Sequence, residues 1–469
     1  MPCWWTIITP ILKTEALKVP TSMPMNLLCR LAPALVLGIL LLPGQSRAGV
    51  FNPETFTLEN GMQVVVVNNP RVPAVTHMVW YRVGSADEGP GESGIAHFLE
   101  HLMFKGTKTR GPGEFSEIVA RNGGRENAFT STDYTAYFQT IAVDRLETVM
   151  ALEADRMTNL VITPKEVEPE RQVVLEERRM RTDNNPGAIL GEQISASLFL
   201  NHPYRNPIIG WEHDIKALDI DRILAFYKRF YRPNNAILVV AGDITAAKLK
   251  PLAEKYYGVI PAGPPVERHR AKEPPQNSAR RVIHRDKRVR QPAIRRTYVA
   301  PGLMWGEKQH AYPLEVLADI IGSGASSRLY RKLVVEDKLA VSAGAYYSGD
   351  DRGPGRFVVY ASPSAGVPLE KLEKAMDREL ARVRANGVSA DELARAKERM
   401  QADAVYARDS LSGGARSLGS SLAVGIPVTE VEAWPERIGA VTEGQITLAA
   451  RYTFDDRRSV TGLLLPEAP

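Results

Sequence analysis

The stretch GESGIAHFLEHLMFKGT, Gly91 to Thr107, decides how this chain is read. It is apolar enough for a core helix, yet it carries His97, Glu100 and His101 within five positions. On a wheel turning about 100° per residue, Phe98, Leu99 and Leu102 fall on the side of Ile95. His97, Glu100 and His101 fall roughly opposite. The pattern predicts a helix with Ser93 as N-cap and Gly106 closing it. Two imidazoles at i and i+4 stack one above the other and can reach a single ion. The plain alternative is a solvated polar face that happens to hold two of the 8 histidines. A catalytic zinc needs a third protein ligand and a position left for water.

A source of that ligand is PKEVEPERQVVLEERRMR, 164–181. Glu170 and Glu177 are seven apart and share one helix face, whereas Glu176 points about 100° away. Pro169 starts or kinks this helix, but both glutamates follow it. Two readings stand side by side: a carboxylate ligand, or a Glu/Arg-rich helix that shows its charges to water.

Outward from these helices the chain reads as strands alternating with helices. MQVVVVNN, AVTHMVWYRVGS and NNAILVVAGDIT are strand-like, NAFTSTDYTAYFQTIA is a strand pair or one long strand, and AVDRLETVMALEADRMTNL is a helix. PAGPPVERHRAKEPPQNS, rich in Pro and charge, interrupts the pattern as a linker. Beyond it the order restarts: QPAIRRTYVAPG resembles VPAVTHMVWYRVG, and AYPLEVLADIIGSG takes the place of the histidine helix without its His or Glu cluster. This predicts an internal duplication of roughly 200-residue halves. The division is a leader over 1–48, a chemistry-bearing half over 49–260, a linker over 261–279 and a non-catalytic half over 280–469.

The 469 residues are 44% hydrophobic and 24% charged, an ordinary globular balance. The net charge of +5 comes with no basic stripe interleaved with aromatics, so nucleic-acid binding is not supported. From Met25, MNLLCRLAPALVLGILLLPGQSRAGV reads as a signal peptide: Arg30, an apolar run from Leu31 to Leu42, and Ser46-Arg47-Ala48 before Gly49. Residues 1–24 are read as lying upstream of the true start. The alternative is an uncleaved membrane anchor, although the run is short for a span. Both cysteines, Cys3 and Cys29, fall in the leader, so the mature chain offers no thiol. An exported, periplasmic protein with no stable membrane span after leader cleavage is expected.

With these words in place a resemblance emerges. His97-Phe98-Leu99-Glu100-His101 followed by Glu177 resembles the inverted zinc motif of the pitrilysin-type (M16) metallopeptidases. GGRENAFTSTDYTAYF, ERQVVLEE and YRPNNAILVVAGDI resemble the subfamily of the mitochondrial processing peptidase beta subunit and its short bacterial relatives. The resemblance implies an α/β (α+β) fold of two homologous halves, each a mostly antiparallel sheet with helices packed on it, forming a clam-like chamber. It implies one Zn2+ per chain held by His97, His101 and Glu177. Glu100 would be the catalytic base and Glu170 an acidic residue supporting catalysis from the third ligand's helix. An extended peptide would add to a strand beginning at Asn127, Ala128 and Phe129. The function so implied is a zinc-dependent endopeptidase acting on peptides or unfolded segments. The alternatives are a structural subunit of the same family and a maturation protease for one dedicated precursor.

One region departs from the family pattern. Active members offer an Arg and a Tyr seven apart after a Ser-Arg-Leu-Tyr-like word. Here SSRLYRKLVVEDKLAVSAGAYY places Val334 and Val341 at the matching positions, with Arg328, Arg331, Tyr346 and Tyr347 out of register. A valine cannot donate to a developing oxyanion. Either another donor replaces the pair or a different chain brings it. The second is favoured: a dimer, and specifically a heterodimer with a zinc-less homologue that supplies Arg and Tyr.

Overall fold

The structure, a computed structural model, describes residues 49–467. The leader expected over 1–48 lies outside the described residues. Among those residues no helix is long and apolar enough to cross a membrane.

Two sheets organise the chain. The first contains β1 (Glu54–Thr57), β2 (Gln63–Asn68), β3 (Ala74–Tyr81), β4 (Arg125–Thr130), β5 (Thr135–Ala142) and β6 (Ala236–Gly242), in the order β1-β2-β6-β3-β5-β4. The second contains β7 (Arg280–Asp286), β8 (Ala293–Ala300), β9 (Ala340–Ser348), β10 (Gly355–Pro363) and β11 (Ser459–Pro466), in the order β7-β11-β8-β10-β9. Without β1 the two orders are the same. Each sheet has one parallel pair, β2 with β6 and β7 with β11. Every other pair is antiparallel. The duplication read from QPAIRRTYVAPG is therefore a repeated topology, with β8 standing where β3 stands. The fold is the expected mixed α/β pair of similar halves. The long strand-like run NAFTSTDYTAYFQTIA resolves into the hairpin β4–β5.

The helices that matter in the first half are α1 (Ile95–Leu102), α2 (Leu146–Asn159), α3 (Pro164–Arg178) and α4 (Pro186–Leu198). In the second half they are α5 (Ala311–Gly322), α6 (Leu369–Asn386), α7 (Gly413–Val424) and α8 (Val428–Glu432). The period of two along a strand sends alternate side chains to opposite faces. Val64 and Val66 of β2 enter a core with Ile95, Phe98 and Leu99 of α1. Val65 and Val67 face the other way, onto Ala415, Leu418 and Leu422 of α7. Because both faces are covered, β2 and β6 read as unbroken apolar runs.

The second sheet is covered in the same way. Ile294, Tyr298 and Phe357 pack under α5 and α6, while Val299 and Val460 meet Leu190, Ile194 and Leu198 of α4. Each half thus lends one helix to the open face of the other half's sheet. The segment read as a linker carries no helix or strand over 261–279, but it is not a loose tether. Its Arg270 donates to Asp87 at 3.0 and 3.1 Å and pairs with the fully buried Asp133.

Candidate metal centre

The site starts with how α1 is held. Its N-cap is Gly94, at φ 91° in the left-handed region, and not Ser93 as expected. Ser93 Oγ instead donates to Asp214 Oδ2 at 2.5 Å and accepts the Trp211 N–H at 2.9 Å. The free N–H groups of the helix start go to the half-buried Glu88, from Gly94 at 3.0 Å and Ala96 at 3.1 Å. A Cβ on Gly94 would sit 2.6 Å from the Ile209 carbonyl, so backbone meets backbone there and only glycine fits. The helix ends at Leu102, four residues before Gly106, which turns the chain at φ 118°.

The third carboxylate comes from α3. Thr163 caps this helix in a reciprocal box with Glu166. The start is therefore Pro164, and Pro169 lies inside. The helix does not simply show its charges to water. Arg171 is buried and donates to the carbonyls of Ile215 and, at 2.7 Å, Leu218. Arg178 is buried and donates to Glu192 at 2.8 Å and to the Gly210 carbonyl at 2.9 Å. Gly210 abuts Gly94, so Arg178 ties the end of α3 to the start of α1. Glu176 points outward and pairs with Arg179, as its angle on the helix requires.

Between the two helices, one ligand atom each from His97, His101 and Glu177 lies within 4.8 Å of the others. Glu177 Oε2 is 3.2 Å from His101 Nε2 and 3.6 Å from His97 Nε2. In a tetrahedral site with bonds of about 2.0–2.1 Å, ligand atoms stand about 3.4 Å apart. Glu177 Oε2 and His97 Nδ1 are buried without a hydrogen-bond partner among the described residues. An inward-facing oxygen left unpaired beside two imidazole nitrogens fits a divalent cation. Arg181 holds the other oxygen, Glu177 Oε1, at 2.9 Å.

The electrostatics follow the packing. His97 falls to about 4, through burial first and then the neighbouring His101, which leaves it neutral and able to ligate. Burial pulls His101 down too, but the hydrogen bond to Glu170 and the nearby Glu177 carboxylate outweigh it and hold it up at about 9. The atoms that attract this extra proton would attract a metal ion, and a bound metal would take its place. The adjacent His101 ring holds the Glu177 carboxyl below its usual range.

Glu170 does not face the point where the three ligand atoms converge. It accepts from His101 Nδ1 at 2.8 Å and pairs with Lys105 at 2.5 Å. Its contact with the site runs through the His101 ring, which it orients so that Nε2 points to Glu177. Glu100 is buried, and burial raises its pKa against a 2.5 Å hydrogen bond from Thr130 Oγ1. Thr130 ends β4 and could not be found from the helix sequence. It is brought to Glu100 only by the β4–β5 hairpin.

These groups open onto a cavity of about 1190 Å³, lined among the described residues by those of the first half. Asn127, Ala128 and Phe129 line it from β4, the free edge of the first sheet. The Asn127 side-chain oxygen accepts the Ala128 N–H at 2.8 Å. Val173 and Met180, both exposed, form part of the opposite wall. In the second half, Val334 packs against the core and Val341 is exposed on β9. Arg328 is engaged by Glu392 and Tyr347 by the Pro301 carbonyl.

The arrangement has close parallels. Residues 63–212 match the family described as Insulinase (Peptidase family M16), and residues 217–400 that described as Peptidase M16 inactive domain. The chain is 33% identical to "Zinc protease PqqE" of Helicobacter pylori, across 88% of this chain and 93% of that one. It is 30% identical to "Uncharacterized zinc protease YmxG" of Bacillus subtilis, across 76% and 84%. The crystal structure of a protease from Helicobacter pylori superposes with a TM-score of 0.84 at 31% identity, covering 89% of this chain and 100% of that one. The periplasmic protease PqqL from Escherichia coli shares the fold, with a TM-score of 0.76 at 22% identity over 90% of this chain and 48% of that one. Repeated topology, paired helices and sequence agree, and the chain belongs to peptidase family M16.

Proposed function

We propose that this protein is a zinc-dependent endopeptidase that cleaves extended peptides or unfolded segments in the periplasm. The supporting observation is the convergence of His97, His101 and Glu177 on one point beside the buried Glu100. In this reading the three residues hold one Zn2+, which supplies Lewis-acid polarisation of the scissile carbonyl and activation of a water molecule. Glu100 takes the proton of the attacking water and passes it to the leaving amine. Burial raises the affinity of Glu100 for that proton, and the Thr130 hydroxyl fixes the direction in which the carboxylate points. Glu170 is a positioning residue, acting through His101.

The free edge of β4 receives the substrate main chain, so affinity depends little on side-chain sequence. Asn127 Oδ1 occupies the place on the Ala128 N–H that a substrate carbonyl would take. The first half carries the chemistry and the second supports it. A removable leader accounts for the export.

The second half offers no free donor at Val334 or Val341, and the cavity draws no residue from it. This favours a dimer in which a zinc-less homologue supplies the missing Arg and Tyr. The test combines metal analysis with cleavage of an unstructured peptide, using this chain alone and with products of neighbouring genes. The expected result is one zinc per chain, cleavage that rises with partner, and an about 10²–10⁴-fold loss in Glu100→Gln at unchanged zinc. Zinc binding without cleavage under any of these conditions would make the protein a structural subunit. Full activity from the lone chain would remove the partner.

A further inference from the structure

Glu432, the last residue of α8, does something other than ion pairing. Its carboxylate accepts the Phe51 N–H at 2.9 and 3.2 Å and the Asn52 N–H at 3.0 Å. No Lys, Arg or His is its partner among the described residues. A Cβ placed on Gly49 would fall 1.9 Å from Glu432 Oε2, so residue 49 must be glycine for the carboxylate to sit where it does. The Gly49 nitrogen is about 2.5 Å from that Cβ position by standard geometry, and so no more than about 4.4 Å from the oxygen. Arg408 donates to the Gly49 carbonyl at 2.7 Å. Val50 is buried, and Phe51 packs with Val65 and Val67 of the first sheet and with α7. Segment 49–52 is therefore seated at a junction of both halves from its first residue. Among the described residues the carboxylate beside it has no ion-pair partner.

We propose that Glu432 is the built receptor for the α-ammonium group of Gly49, freed when the leader is cut after Ala48. It rests on the leader reading given above. The step is hydrolysis of the Ala48–Gly49 peptide bond by a leader peptidase. Water gives its oxygen to the Ala48 carbonyl carbon and, in the net, both its hydrogens to the Gly49 nitrogen, leaving a carboxylate on the leader and an ammonium on the mature chain. The new ammonium completes the Glu432 site, and maturation fastens the first sheet to the α7–α8 region of the second half.

The test expresses the full chain with its leader in an exporting host and reads the mature N-terminus by intact mass. The purified protein is then treated with limiting acetic anhydride at neutral pH, and acetylation of the N-terminal amine is followed by peptide mass. The mature protein begins at Gly49, and its amine reacts about five- to tenfold more slowly than in Glu432→Gln, as one unit of ion-pair stabilisation implies. Glutamine keeps the acceptor for the Phe51 and Asn52 N–H groups. A second protein that keeps Ala48 as its first residue covers the event that Glu432→Gln does not fold; it reacts as fast as the variant. A mature start elsewhere overturns the leader reading and the proposal with it. A start at Gly49 with equal rates in all three proteins overturns the receptor alone.

Discussion

His101 lies between two carboxylates that do different work. Glu177 faces its Nε2 and Glu170 its Nδ1, so in the proposed centre the first would share the metal and the second would fix the ring. Residues that orient a ligating histidine are typically worth about 10–100-fold in metal affinity. Glu170→Ala should lower zinc affinity by that factor in a chelator competition, while Glu170→Gln, which keeps an acceptor, should lose less. Equal affinity in all three proteins would deny Glu170 its positioning role. A second residue gives a pH signature away from the site. Burial first, then the Asp350 charge, push Glu315 up to about 8, against the Trp434 indole N–H that lowers it. The folded state keeps a proton that the unfolded chain releases above its ordinary value of 4.5. The contribution of Glu315 is therefore fully present below that value and is lost as pH rises toward 8. Glu315→Gln retains an acceptor for Trp434 and removes the titration. Its melting temperature should fall less than that of the wild type between pH 5 and 8, and parallel curves would contradict the assignment.

At the scale of elements, β4 carries the substrate side of the proposal and α1 the chemical side, and they differ in how readable they are. The α1 face follows from i, i+3 and i+4 spacing, so His97, Glu100 and His101 can be placed on one side before any fold is known. Glu170 and Glu177 share a face of α3 for the same reason, but their convergence on α1 depends on Arg178 reaching Gly210, a contact no local pattern contains. Ser93 looked like a cap because its residue type suits one. The cap was lost to tertiary competition, since Asp214 binds the hydroxyl and Glu88 takes the helix N–H groups. For β4 the sequence pattern predicts a strand and leaves its place in the sheet open; the edge position is a property of topology. That position makes a prediction. Ala128→Pro deletes one outward N–H without removing a side chain, and proline is tolerated at sheet edges. One main-chain hydrogen bond is worth about 0.5–1.5 kcal/mol, so kcat/KM should fall about tenfold at most, at unchanged zinc content and with the change in KM. A loss confined to zinc content would mean that the substitution had disturbed the metal centre instead.

Across the whole molecule, the halves are joined by exchange. The helix α4 covers the second sheet and α7 the first, a pairing that amphipathic patterns could not reveal because each helix would fit either sheet equally well. At the same junction lies Asp133, in the turn between β4 and β5. It accepts from the Tyr204 hydroxyl at 2.5 Å, from the Arg352 N–H of the second half at 2.9 Å, and from Arg270 of the connecting segment. One buried carboxylate thus fixes the hairpin that carries β4, the connection and the second half to one another. Removing one member of a buried ion pair costs about 3–5 kcal/mol when the partner charge stays behind without compensation, and Arg270 would keep part of its compensation from Asp87. Asp133→Ala should therefore destabilise the protein by up to that amount in urea unfolding. Arg270→Ala leaves Asp133 two neutral donors and should cost less. In the double variant neither member of the pair is left behind, so its loss should fall short of the sum of the single losses by 1 kcal/mol or more, about the coupling expected of residues in one network. Additive losses would show that the two side chains act separately. The hairpin would then be placed by its strand pairing alone, and the orientation of β4 toward Glu100 would owe nothing to the second half.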